Sequence, residues 1–146
     1  MEYVEPFPQK DKRRLVGWIV FGVVLLAFAI VIAFVVPRLT DPTVTVKAQL
    51  DLIKNGQVEQ AYQQTSAEYQ SASSLDVFKQ VAETVPAISD NKSVEFVSTN
   101  NVKQDGMTLA VIKTKMTSNK DVAYDVEYVM KKESGGWKLW SLNITI

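Results

Sequence analysis

From Leu15 to Val36 the chain reads LVGWIVFGVVLLAFAIVIAFVV, 22 residues whose side chains carry no charge, amide or hydroxyl. At 1.5 Å rise per residue a helix of this length spans roughly 33 Å, which matches a bilayer hydrocarbon core of about 30 Å. A chain of 146 residues has too small a globular core to cover so long an apolar rod. The β-branched Val and Ile residues would weaken a helix in water. In hydrocarbon the backbone must satisfy its own hydrogen bonds, and that requirement overrides propensity. The expectation is a transmembrane helix over 15–36.

The flanks give its direction. Lys10, Lys12, Arg13 and Arg14 precede the span with only Asp11 among them, whereas Arg38 and Asp41 follow it, so the N-terminus is expected in the cytoplasm. Trp18 lies one turn inside the first boundary, where an indole can meet the headgroups. A cleavable signal peptide shares the basic head and apolar run, but its apolar run is usually about 7–15 residues and ends at a small-x-small site. No convincing site of that kind precedes Pro37. The chain therefore divides into a cytoplasmic tail over 1–14, the span over 15–36, a short linker over 37–42 and an extracytoplasmic domain over 43–146. Membrane lipid is its first partner. Gly22, Ala29 and Ala33 fall at helical spacings that admit a close neighbour, and mark a possible contact with a partner helix.

Beyond the span, 110 residues hold 12 basic and 13 acidic side chains. That balance argues against nucleic acid as a partner. The absence of His and Cys removes imidazole bases, thiol nucleophiles, disulfides and thiolate or imidazole zinc sites. Carboxylate chemistry stays open.

Asp41 and Pro42 form a helix start, and TVTVKAQLDLIKNG ends at Gly56 with Val46, Leu50 and Ile53 on one face. A second helix is expected from about Gln57 through Tyr69, with Val58, Ala61, Tyr62 and Thr65 at spacings of three and four. A third begins near Ser73 or Ser74, where Ser73 with Asp76 reads as a capping box. Leu75, Phe78, Val81, Ala82 and Val85 form its stripe before Pro86. After Asn91 the period changes to two. Strands are expected over Val94–Val102, Met107–Met116, Val122–Met130 and Trp137–Thr145, separated by the turn formers QDG, TSNKD and ESGG. Val122, Tyr124, Val126, Tyr128 and Met130 share one face of the third strand. Such alternation predicts a curled antiparallel sheet with three helices on its apolar side, an α+β domain.

KAQLDLIKNGQVEQAYQQTSAEY, SSLDVFKQV and VAYDVEYVMKKESGGWKLWSLNI resemble the NTF2-like superfamily, in its small exported or membrane-anchored members of unknown function. The likeness covers roughly residues 44–146. It implies a cone-shaped sheet wrapped round a helix, and a homodimer through the outer sheet as one possible partnership. The catalytic members place Asp, His or Tyr inside the cone. Here the inward stripe offers Tyr124 and Tyr128 with no evident acid partner, so no enzyme activity and no cofactor are expected. A weaker similarity, in layout only, is to membrane-anchored assembly factors of cytochrome oxidase.

Phe96, Tyr124 and Tyr128 are candidates to line a pocket at the open end of the cone, or to fill it. Trp137 and Trp140 point to opposite faces of the last strand, which makes Trp140 a candidate partner contact. Asp125 and Glu127 point the same way, as do Lys113 and Lys115 on the neighbouring strand. They read as a solvated face with cross-strand ion pairs, or as a weak cation site. The resulting expectation is a noncatalytic membrane-anchored interaction module, an accessory or assembly subunit of an integral membrane protein complex. The alternative is a small-molecule or lipid-binding domain using the cone interior.

Overall fold

A computed structural model of the protein describes residues 41–145 and, before them, four helical positions, Val23, Val24, Leu26 and Ala27. The expected tail over 1–14, most of the span over 15–36 with Gly22, Ala29 and Ala33, and the linker as far as residue 40 lie outside the described residues. Among the described residues no helix is long and apolar enough to cross a membrane.

Helix α1, Pro42–Lys54, starts where Asp41 accepts from the Thr43 amide at 2.9 Å, with Pro42 at the first helical position, where its missing N–H costs nothing. It ends because Gly56 takes φ 74°, which lets Gly56 N–H donate to Ile53 O and Gln57 N–H to Leu52 O. Between these caps Val46, Leu50 and Ile53 are buried.

The second expected helix is two. Helix α2, Val58–Gln63, and helix α3, Ala67–Ala72, are separated at Gln64–Ser66, where the chain leaves the helix and pairs with the last strand. Thr65 bridges Leu139 in parallel; Ser66 N–H donates to Leu139 O at 2.8 Å and Leu139 N–H donates to Gln64 O at 3.3 Å. These bonds satisfy backbone groups at a sheet edge that would otherwise be open to pairing. Helix α4, Leu75–Thr84, is capped by Ser74, whose hydroxyl accepts from Val77 N–H. The cap is thus Ser74 and not Ser73, whose carbonyl accepts from the Tyr62 hydroxyl at 2.8 Å. Pro86 ends α4 but opens a further turn, α5, Pro86–Ser89, since proline suits a helix start. The described domain therefore has five short helices where three were expected.

Strands β1 (Asn91–Gln104), β2 (Met107–Ser118), β3 (Ala123–Glu133) and β4 (Gly136–Thr145) form one antiparallel meander in the order β1-β2-β3-β4. Asp105 and Gly106, with φ 50° and 77°, make the two-residue turn between β1 and β2. Three bulges interrupt the ladder, the first at Lys92, an extra residue near the start of β1. Val97 is an extra residue in β1 and Trp140 an extra residue in β4. Because strand side chains alternate, each bulge reverses parity: Trp137 and Leu139 face inward before Trp140, and Leu142 and Ile144 after it.

The inner face of the sheet and the helices share one core. Ile112, Met116, Val126, Tyr128 and Met130 meet Val46, Leu50, Ala61, Phe78, Ala82 and Ile88. Phe78 is its aromatic centre, with the Tyr62 ring centroid 5.5 Å away and the Tyr69 ring edge-on at 6.1 Å.

Candidate interaction face

The interior is filled. Phe96, Tyr124 and Tyr128 all face it, but Tyr124 and Tyr128 are 9 % and 2 % exposed, and Phe96 is half-buried with Lys47 Nζ 5.1 Å from its ring centre. Between Gln49, Phe78, Ala82, Ile88, Tyr128 and Leu142 there remains about 10 Å³ of space, room for one water at most. Tyr128 borders that space, and its hydroxyl has no hydrogen-bond partner among the described residues. Burial pushes its pKa up, because the phenolate has no solvation there.

An unpaired buried hydroxyl costs about 1–3 kcal/mol, so Tyr128→Phe is expected to stabilise the domain by about 1 kcal/mol in urea unfolding. The sign with pH follows from the raised pKa. The contribution is unchanged below pH 10.0, the ordinary tyrosine value, and is lost as pH rises above it, at up to about 1.4 kcal/mol per unit. Tyr128→Phe removes that part of the alkaline slope; a variant less stable than wild type at pH 7 would show that the hydroxyl has a partner.

The outer face of the sheet is built differently. Its charged half comes from β2 and β3 in register: Lys113 lies opposite Glu127 and Lys115 opposite Asp125. Lys113, Lys115 and Asp125 are exposed. Asn143 and Thr145 continue these rows on β4, and Val97 borders them from β1. Together they line a shallow groove of about 320 Å³. Register thus brings the two lysines opposite the two carboxylates, yet among the described residues none of the four closes an ion pair; the pairs that form are Lys79–Glu59, Lys92–Asp121 and Lys131 with Glu68 and Glu133. The expected cross-strand ion pairs are absent there, leaving four charges in solvent.

The other half of the same face has an apolar centre, Leu109, Val111 and Val129, between polar neighbours. Val102, Leu109 and Lys131 are cross-strand partners, as are Val111, Val129 and Ser141 in the next row. Leu109 is 4 % exposed and Val102 42 %. Trp140, the bulge residue, is half-buried on the side opposite Leu139. Sequence reasoning singled out Trp140 but missed Leu109, Val111 and Val129. Their signal was a strand face that stays apolar where a solvated one should be polar.

Outside the face, hydrogen bonds from Lys79 and Lys131 hold the carboxyls of Glu59 and Glu68 below the usual carboxylate range. Both pairs are at the surface and bind helices to their neighbours. Among the described residues no three His, Cys, Asp or Glu gather as a metal site would need.

The family described as a domain of unknown function, DUF4864, matches residues 41–145, the whole of this domain. No curated protein matches the chain.

Proposed function

We propose that the chain, which belongs to the DUF4864 family, is a noncatalytic membrane-anchored interaction module that docks a protein partner through the outer face of its sheet. The observation that carries this reading is the contrast between the two faces. The inner face leaves about 10 Å³ unfilled, whereas the outer one offers a groove of about 320 Å³ with four charges unpaired among the described residues, beside rows centred on Leu109, Val111 and Val129. A ligand in the interior would have to displace the core; a partner on the outer face displaces water. The lack of His and Cys supports a role without chemistry.

The membrane placement rests on the sequence. The apolar run over 15–36 anchors the chain in the cell membrane with the N-terminus in the cytoplasm, and only a few residues separate it in the sequence from the start of α1. A domain joined so directly to a membrane anchor favours a partner that is itself an integral membrane complex, with this chain as accessory or assembly subunit. The NTF2-like likeness and the weaker similarity to oxidase assembly factors agree with it.

A second occupant is favoured by the charge pattern. A two-fold axis along the strands, midway between β2 and β3, sets Lys113 of one copy over Glu127 of the other and Lys115 over Asp125, all four reciprocally. Charge reversal at Lys113→Glu with Lys115→Glu tests the face that both readings use, and the species extracted with the wild-type chain separates them. Gentle detergent extraction is expected to recover copurifying proteins with the wild-type chain and at least about tenfold less with the double variant, with unchanged thermal unfolding. Wild-type extraction that yields only the isolated chain overturns both readings; a pure dimer selects the second.

A further inference from the structure

We infer that the free edge of β1, over Ser98–Gln104, pairs with the same edge of a second copy of this chain. The two edges of the sheet are unlike. β4 is covered at Leu139 by the bonds from Gln64–Ser66. β1 bonds on one side to β2, and among the described residues no backbone bond reaches its other side between Ser98 and Gln104. In an antiparallel strand the N–H and C=O groups of alternate residues turn away from the neighbour, so this edge presents unpaired donors and acceptors in alternation. An added extended strand meets both kinds.

The features that usually blunt an edge stop short of this stretch. The extra residues Lys92 and Val97 disturb the first half of β1, whereas Ser98–Gln104 keep continuous register with β2 as far as the turn at Asp105. No proline interrupts STNNVKQ, and all of it but Ser98 is exposed.

Its composition selects a second copy. A two-fold axis normal to the sheet at Asn101 sets Asn101 against Asn101, Asn100 against Val102, Thr99 against Lys103 and Ser98 against Gln104. Every pair joins residues of the same face, because alternate residues of a strand share one. Amides and hydroxyls each donate and accept, so they can pair with themselves. The one charge, Lys103, meets Thr99 and no second lysine. With β4 blocked at Leu139, one open edge per copy closes the assembly at two. The outer face of both copies stays free, so this pairing does not depend on the docking proposed above.

The chain has no native Cys, so single thiols read the register. In membranes carrying the full chain, oxidation of Asn101→Cys with copper phenanthroline and air is expected to give a disulfide-linked dimer of about twice 16.3 kDa as the main product, since directly opposed strand residues lie within the Cα range of a disulfide. Lys103→Cys alone should stay monomeric, whereas tagged chains carrying Thr99→Cys and Lys103→Cys should link to each other. Adding Lys113→Glu with Lys115→Glu should leave the Asn101→Cys product unchanged, even where those changes release a partner from the outer face. Loss of the product on charge reversal, no product at all, or equal product from Asn101→Cys and Lys103→Cys overturns the proposal.

Discussion

Full-length protein is expected to stay in the membrane pellet after alkaline carbonate washing, and a chain beginning at Pro37 to leave it completely. The effect is all-or-none because the Leu, Ile, Phe and Val residues of the span each favour insertion by about 0.3–0.6 kcal/mol near the bilayer centre, and they dominate the stretch from Leu15 to Val36. No contact made by the sheet face survives such a wash. The intact mass of the pelleted chain adds a second reading. At 16.3 kDa the span is an uncleaved anchor; a mass short of the first 36 residues means it was a leader, and the domain is then not tethered. The direction is testable too. With no native Cys, a single Asn119→Cys in the exposed β2–β3 turn should react with an impermeant maleimide on intact cells, and a Cys placed in the basic tail should not.

Phe78→Ala is expected to cost the domain about 3–5 kcal/mol, a large part of the roughly 5–15 kcal/mol that holds a domain of this size together. Phe78 is 3 % exposed and packs against Tyr62 of α2 and Tyr69 of α3, so the cavity opens at the junction of three helices. These helices are short, and the connector between two of them pairs with β4, so a loss here loosens the edge of the sheet as well. Val77 on the same helix is 50 % exposed, and Val77→Ala should change stability by less than about 0.5 kcal/mol. Urea unfolding of both variants checks the contrast; equal losses would mean that α4 is held by its helical propensity and not by its buried face.

The elements that were legible in the sequence are those whose cause is local. Asp41, Pro42 and Gly56 mark the ends of α1 by their own backbone chemistry, and the alternation of Tyr124, Val126, Tyr128 and Met130 marks β3 by period alone. What was hidden depends on distant partners. The break at Gln64–Ser66 exists because Leu139, far along the chain, offers backbone bonds that a continuous helix would refuse. The bulges at Val97 and Trp140 come from sheet pairing, and nothing in either residue announces them.

The site divides in the same way. Spacings of two placed Lys113 with Lys115 and Asp125 with Glu127, and adjacency of the strands set the lysines opposite the carboxylates. That none of these charges pairs with another among the described residues depends on the rotamers the exposed side chains take in solvent, which spacing does not fix. Likewise the inward stripe of Phe96, Tyr124 and Tyr128 was legible, but whether it lined a pocket or a core depended on how closely Phe78, Ala82 and Ile88 approach it.

The central claim, that the outer sheet face docks a protein at the membrane, is tested most directly by crosslinking from that face in native membranes. Lys113→Cys and Gln80→Cys each introduce the sole thiol of the chain, one in the groove and one on the exposed side of α4. A thiol-specific photocrosslinker on Lys113→Cys is expected to give one discrete adduct, heavier than 16.3 kDa by the mass of the partner, and Gln80→Cys none. Adducts from Gln80→Cys alone, or from neither position, would contradict the claim.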